Sequence, residues 1–195
     1  MGHRDDLLVA ARRLLEEKGY ARITARDLVA ESGTNLASIG YHFGSKEGLL
    51  NAAIGTVLDE WTEQLSSLAM AVPDATPLER GLTAWTALLT GLGDKRELLL
   101  SFVEALAQAE RNPELRQQFA GHYERCRGQV AELVGASLGG LPADDVRCRS
   151  AASFVIAVCD GLAVQWLLDP DAAPSADEFA SGLTAIVVGS VGENV

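Results

Sequence analysis

A short run of small and hydrogen-bonding residues, at positions 37–42, is the part of this sequence with the clearest chemistry. Ile39 and Phe43 are four residues apart, so in a helix they share one inward face. The residues off that face carry no charge: they are Ala37, Ser38, Gly40, Tyr41 and His42. Small side chains let a helix approach a groove closely, and Ser, Tyr and His can donate to phosphates or base edges. The run therefore predicts a surface that contacts nucleic acid.

Capping residues on both sides of this run predict two short helices joined by a tight turn. Thr24, with Asp27 three residues later, is typical of a capping box, and Asn35 can cap the next helix. Gly33 and Gly44 follow the two helices, where glycine can adopt a left-handed conformation. This spacing predicts a helix-turn-helix. An ordinary helical hairpin has similar spacing and stays an alternative on spacing alone.

Two longer helices are expected to flank this motif. Apolar residues at helical spacing predict one over residues 5–18 and another from Ser45 to about residue 69. Lys46 lies in the first turn of the second, where a positive charge opposes the helix dipole. We therefore expect an anion near Lys46, and a DNA phosphate would supply one.

The segment SGTNLASIGYHFGSKEGLL, residues 32–50, resembles the recognition helix and the next helix start of the TetR family of transcriptional regulators. The positions that fit are Gly33, Asn35, Ile39, Tyr41, His42, Phe43, Ser45, Lys46, Glu47 and Leu49. The resemblance is strong over residues 5–55 and looser beyond, as in DGLAVQWLLDP at 160–170. Two positions depart from it: the family often has Tyr or Asn where Gly40 stands, and Glu where Gly48 stands.

The resemblance implies a homodimer that binds double-stranded operator DNA and a small ligand, most simply as a ligand-released repressor. The closest alternative within the family is a regulator that activates transcription, or one whose ligand strengthens DNA binding. We expect Arg26 to read a base, Ser38 to face the groove floor, and Tyr41, His42 and Lys46 to hold phosphates. The full set of expected DNA-binding residues is Thr24, Arg26, Asn35, Ala37, Ser38, Gly40, Tyr41, His42 and Lys46.

Composition and charge agree with DNA binding by one end of the chain. The 195 residues carry a net charge of −11, yet the first 50 hold seven basic and seven acidic residues, so the excess acid lies beyond them. A neutral N-terminal segment on an acidic remainder suits this arrangement. Apolar runs fall short of the ~18 residues of a membrane span. Three scattered cysteines without C-x-x-C spacing suit a reducing cytoplasm and predict no metal site.

Beyond residue 70, caps and prolines predict five more helices, which makes an all-α fold of about nine helices. We expect a DNA-binding domain at 1–48 and a ligand-binding and dimerisation domain at 49–195. The last two helices, starting near residues 141 and 175, are apolar around much of their surface and must be covered. A second copy of the chain would cover them, although they could instead serve only their own core. The expected dimer residues are Phe154, Val158, Leu162, Phe179, Leu183, Ile186 and Val187.

Aromatic and aliphatic residues of the middle helices are candidates for a ligand pocket, although helical spacing alone suits ordinary core equally well. They are Trp61, Trp85, Leu88, Leu89, Phe102, Leu106, Phe119, Tyr123 and Trp166. The family resemblance is what favours a pocket, for a small apolar ligand. The sequence has none of the common catalytic or nucleotide-binding motifs, so we predict no catalytic residues and no cofactor. The alternative function is an all-helical small-molecule carrier or enzyme with a vestigial DNA-binding head.

Overall fold

The structure, a computed structural model, describes residues 2–71 and 74–192, with side chains described as far as residue 186 of the last helix. Over these ranges the predicted all-α fold is confirmed, with nine α-helices, two short 3₁₀ helices and no strand. The α-helices are α1 (His3–Lys18), α2 (Ala25–Ser32), α3 (Leu36–Phe43), α4 (Lys46–Met70), α5 (Pro77–Gly91), α6 (Arg96–Ala109), α7 (Pro113–Ser137), α8 (Val146–Leu168) and α9 (Ala176–Gly192).

Three helix starts differ from the sequence prediction. Helix α1 begins at His3, two residues earlier than expected. The sequence predicts a helix capped by Asp94, but a 3₁₀ helix, Gly93–Lys95, precedes α6, so Asp94 does not cap that helix. Helix α8 begins several residues after Leu141, because the side chain of Asp145 accepts from the backbone N–H of Arg147 at 2.9 Å and caps the helix there.

The first compact unit comprises residues 1–63 and 95–126. Its core joins apolar residues of α1–α4 to residues of α6 and α7, including Leu7, Leu15, Leu28, Ile39, Leu50, Ile54, Leu98, Ala105 and Phe119. Helix α6 also meets the 3₁₀ helix Tyr20–Arg22, where Glu104 Oε2 accepts from the backbone N–H of Ala21 at 3.1 Å. Helix α6 and the start of α7 therefore share the core of the N-terminal helices, and the predicted domain boundary at 48/49 stays a prediction.

A buried polar pair lies in this core. The Tyr20 hydroxyl donates to Asn51 Oδ1 at 3.0 Å, and both residues are buried. Burial, followed by the nearby charges of Glu47 and Glu104, raises the pKa of Tyr20 to about 12. The hydrogen bond ties the 3₁₀ helix that follows α1 to the first turns of α4.

Polar residues form a seam between α4 and α7 within the same unit. The imidazole of His122 lies against the α4 backbone at Gly55. One turn along α4, Asp59 Oδ2 is 3.4 Å from His122 Nδ1 and 3.0 Å from Arg125 Nη2. A turn further on, Thr62 Oγ1 and Cys126 Sγ are 3.6 Å apart.

The second compact unit comprises residues 64–94 and 127–195 and contains α5, α8 and α9. The rings of Trp85 and Phe179 meet edge to face, 5.2 Å between centroids, and join α5 to α9. Helix α8 is long and apolar enough to cross a membrane by length and composition, contrary to the expectation from the sequence, and little of its apolar window is buried within the chain. An exposed apolar surface of this size typically marks a site of interaction with another protein or a membrane.

Candidate nucleic-acid interface

Helix α2 starts at the capping box that the sequence predicts. Thr24 Oγ1 accepts from the backbone N–H of Asp27 at 3.2 Å, and Asp27 Oδ2 accepts from the backbone N–H of Thr24 at 2.8 Å. Lys18 Nζ donates to the other oxygen of Asp27 at 2.7 Å. The hydrogen bond from Lys18, followed by those from Thr24, lowers the pKa of the Asp27 carboxyl well below its usual range. Helix α2 is thereby tied to the end of α1.

Helix α3 is set by its cap and by the turn before it. Asn35 Oδ1 accepts from the backbone N–H of Ser38 at 3.0 Å, which confirms the predicted cap. Gly33 ends α2 with φ 66°, a left-handed conformation that glycine adopts without strain, and this turn sets α3 against α2. The two helices therefore form the predicted helix-turn-helix.

One stripe of α3 faces solvent. It runs along positions 36, 37, 40 and 41, and its two large members are Leu36, 55 % exposed, and Tyr41, 85 % exposed. Arg26 on α2 is also exposed and has no hydrogen-bond or ion-pair partner among the residues that the structure describes. These residues are available to an incoming duplex, as the sequence predicts for Ala37, Gly40, Tyr41 and Arg26.

The expectation that Ser38 faces the groove floor is wrong. Ser38 is only 8 % exposed, and its hydroxyl lies 3.2 Å from His3 Nδ1 and 3.3 Å from Asn35 Oδ1. The reason is the early start of α1, which brings His3 over this side of α3. The hydroxyl therefore makes its contacts within the first three helices, residues 3–43, which we call the head.

Lys46 has partners inside the chain. Its Nζ donates to the carbonyl oxygen of Ile23 at 2.9 Å and lies 3.3 Å from Glu47 Oε1. These two oxygens stabilise the positive charge of Lys46 at the start of α4, so Lys46 does not need an external anion. A contact between Lys46 and a DNA phosphate stays a prediction. Ser45 caps α4 by accepting from the backbone N–H of Gly48 at 2.9 Å. A β-carbon at Gly48 would overlap the carbonyl oxygen of Phe43, so the backbone as it stands here requires glycine at this position.

Two residues at the start of α1, His3 and Arg4, lie beside α3, and the sequence did not predict these contacts. His3 contacts Ser38, and the guanidinium of Arg4 lies over the Phe43 ring, 5.6 Å from its centroid. His42 is half-buried, with its ring 4.8 Å from Tyr41 and 6.2 Å from Phe43 between centroids. Helical periodicity within α1 carries no signal for contacts with α3, so these neighbours emerge only from the fold.

Comparison with known proteins agrees with this geometry. A family model described as "Bacterial regulatory proteins, tetR family" matches residues 7–53, and one described as "BetI-type transcriptional repressor, C-terminal" matches residues 77–189. The chain belongs to the TetR family. It is similar to the HTH-type transcriptional regulator BetI of Rhizobium meliloti, with 29% identity over 93% of this chain and 85% of that protein.

Solved structures resemble this TetR-family chain along nearly its whole length. A transcriptional regulator from Rhodococcus sp. RHA1 has a TM-score of 0.73 and 18% identity, covering 94% of both chains. The multidrug binding protein EbrR, complexed with proflavin, has a TM-score of 0.62 and 25% identity, covering 94% of this chain and 98% of that one. The chain is thus a transcriptional regulator with a helix-turn-helix head and a helical C-terminal part.

The predicted pocket residues of this TetR-family regulator fall into both compact units. Five lie in the first, where the rings of Phe102 and Phe119 are 5.6 Å apart and those of Phe102 and Tyr123 are 6.5 Å apart; the five are Trp61, Phe102, Leu106, Phe119 and Tyr123. Four lie in the second: Trp85, Leu88, Leu89 and Trp166. Trp85 is buried, and its Nε1–H has no partner among the described residues.

The predicted dimer residues divide by exposure. Phe154 is 57 % and Ile186 70 % exposed, Val158 and Leu183 are half-buried, and the side chain of Val187 lies outside the described residues. Leu162 is 5 % exposed, so its side chain is buried within the chain and is not available to a second copy as predicted. Phe179 is half-buried against Trp85. Two exposed residues of α8, Val164 and Leu168, extend the Phe154 face and were missed.

Proposed function

We propose that this TetR-family regulator is a cytoplasmic, homodimeric repressor that binds a palindromic operator through α3 and leaves it when a small ligand binds. The observation that carries the proposal is the exposed stripe of α3, held by a capped α2 and a capped α3. In helix-turn-helix proteins the second helix enters the major groove, and its N-terminal residues meet base edges. The exposed stripe is the side of α3 available for that contact.

We assign base contacts and phosphate contacts to different residues, namely Arg26 to a base and Tyr41 and His42 to phosphates. Arg26 is exposed on α2 and can bond two acceptors of a guanine edge. The hydroxyl of Tyr41 and the ring of His42, with Lys46, lie toward the end of α3 and hold phosphates. Thr24 and Asn35 act by capping the helices, so their side-chain oxygens position the head. The acid excess beyond residue 50 repels DNA from the rest of the chain and limits non-specific binding.

The exposed face of α8 is assigned to the dimer. Phe154, Val164 and Leu168 lie on one face at helical spacing, with Ala157 and Gly161 between them, and all five are apolar. Burial of such a face removes apolar surface from water, which favours association. In a dimer with two-fold symmetry, the same face of α8 from a second copy of the chain would pack against this one. Two chains would then present two heads to one operator.

The ligand is proposed to be mainly apolar and aromatic. The ring cluster of Phe102, Phe119 and Tyr123 suits a flat aromatic molecule. The relative EbrR was solved with proflavin, a flat aromatic molecule, which supports a flat aromatic ligand.

Release is proposed to act through two helices that touch the head. Helix α4 continues from the head, and α6 contacts it through Glu104 and Ala21. Phe102 lies two residues before Glu104 on α6, so a ligand that displaces the Phe102 ring can disturb the contact with the head. A ligand shifts the equilibrium only by its difference in affinity between the two states, typically 1–3 kcal/mol. No catalytic step is assigned, and the relatives named as regulators support a regulator over a carrier or enzyme with a vestigial head.

Proflavin is the probe that tests ligand release. Titration into the free protein and into the protein bound to an operator, followed by calorimetry, should give tighter binding to the free protein. Saturating proflavin should weaken operator binding about 5- to 150-fold, and linkage requires the same factor in both experiments. Equal affinities in the two titrations would exclude release, and absence of proflavin binding would exclude the proposed ligand class, while neither result touches DNA binding itself.

A further inference from the structure

The exposed stripe of α3 offers almost no hydrogen-bonding groups. Leu36, Ala37 and Gly40 carry none on their side chains, and Tyr41 has one hydroxyl at the far end of a long ring. Ser38 would have supplied a hydroxyl close to the helix axis, but it is buried and bonded to His3 and Asn35. Recognition of base edges by side chains in the first turn of α3 must therefore depend on shape and apolar contact.

Base edges in the major groove offer a single apolar feature, the C5-methyl group of thymine. Leu36 is the first residue of α3 and is 55 % exposed, next to the exposed Ala37. The first turn of a recognition helix is the part that reaches base edges. Gly40 lies on the same side one turn on, and a β-carbon placed there would have no neighbour within 4 Å among the described residues, so this side of α3 is open.

We propose that Leu36 is a specificity-determining residue that reads a thymine methyl group in each half-site of the operator. The inference rests on the proposed operator binding and adds the chemistry of one base position. It gives each half-site at least one T·A pair that is recognised without hydrogen bonds from the protein. Cytosine, which lacks the methyl group and presents a donor, would leave its amino group facing an apolar side chain and lose the contact.

Replacement of thymine by deoxyuridine removes the methyl group and leaves every hydrogen-bonding group in place. In a duplex selected by the protein from random sequence, each thymine is replaced in turn and binding is measured by fluorescence anisotropy. One replacement per half-site should weaken wild-type binding about three- to fivefold, the worth of one buried methyl group. Leu36→Ala should bind more weakly and lose this sensitivity at that position, while Leu36→Gln should prefer another base there.

Leu78→Ala is the matched control, because Leu78 is an exposed leucine of α5, 40 % exposed, and is not part of the helix-turn-helix. It should keep the wild-type response to deoxyuridine. Leu36 is exposed, so its variants should unfold at nearly the wild-type temperature, which is checked in the same samples. A methyl effect that persists undiminished in Leu36→Ala, or a selected half-site without thymine, overturns the inference. Failure to select any sequence would instead count against the proposed function.

Discussion

The imidazole of His122 occupies the space that a side chain at Gly55 would need. Gly55 lies inside α4, and a β-carbon added there would overlap the ring atoms Cε1 and Nε2 of His122. The contact brings α7 directly onto the backbone of α4, beside the pair of Asp59 and Arg125. Because α4 begins at the head, this contact helps to fix the position of the head.

Gly55→Ala should destabilise the protein by about 1–3 kcal/mol, because the new methyl group must push His122 aside in a packed seam. In a His122→Ala background the same change should cost little, since the ring is gone. Urea unfolding of the four proteins measures this coupling. Gly128→Ala is the control: Gly128 lies in α7 with open space at its β-carbon and should be neutral or stabilised by up to ~1 kcal/mol. An equal cost of Gly55→Ala in both backgrounds would refute the steric account.

His122 also predicts a pH dependence of stability. Burial, and next the charge of Arg125, lowers its pKa below the ordinary value, although Asp59 opposes the shift. The unfolded chain therefore takes up a proton at higher pH than the folded chain. The contribution of His122 to the free energy of unfolding should be fully present above its ordinary pKa of 6.5. It should be lost as the pH falls from 6.5 through the lower pKa that His122 has in the folded chain. Unfolding curves between pH 5 and 8 should show a shallower decline for His122→Asn than for wild type. Identical slopes for wild type and His122→Asn would contradict the prediction.

Local signals in the sequence predicted much of the head. Thr24 with Asp27, and Asn35 alone, gave two helix starts, because capping depends on residues within three positions. The burial of Ser38 could not be predicted in this way, since it depends on His3, 35 residues away. Leu162 shows the same limit: a helix that is apolar nearly all round does not reveal which side faces its own core.

The buried pair of Tyr20 and Asn51 should behave as a coupled unit. Tyr20→Phe leaves the Asn51 amide without its partner and should cost about 1–3 kcal/mol, whereas Tyr20→Phe with Asn51→Leu should cost less than the two single changes together. Chemical denaturation of the four proteins gives the coupling energy. Tyr41→Phe, at a residue that is 85 % exposed, should change stability by less than ~0.5 kcal/mol. Simple additivity would mean that the hydrogen bond contributes no net stability.

The α8 face should control the oligomeric state. Phe154→Glu with Val164→Glu places two charges on the exposed apolar stripe and should convert a dimer to monomers, as sedimentation velocity at micromolar concentration would show. The change should spare folding, because neither side chain is in the core of its unit. Val9→Glu, at an exposed valine of α1, should leave the dimer intact. A wild-type protein that sediments as a monomer would contradict the assignment of this face.

Selection of duplexes from random sequence by the wild-type protein, followed by footprinting and measurement of the stoichiometry, tests the central claim most directly. We expect an inverted repeat with half-sites about 34–36 Å apart, bound by pairs of chains. Arg26→Ala should lose about 1–3 kcal/mol of binding and relax one position of each half-site, while Arg116→Ala, at an exposed arginine of α7, should bind as wild type. Enrichment of no sequence, or of a sequence without two-fold symmetry bound by one chain, would contradict it.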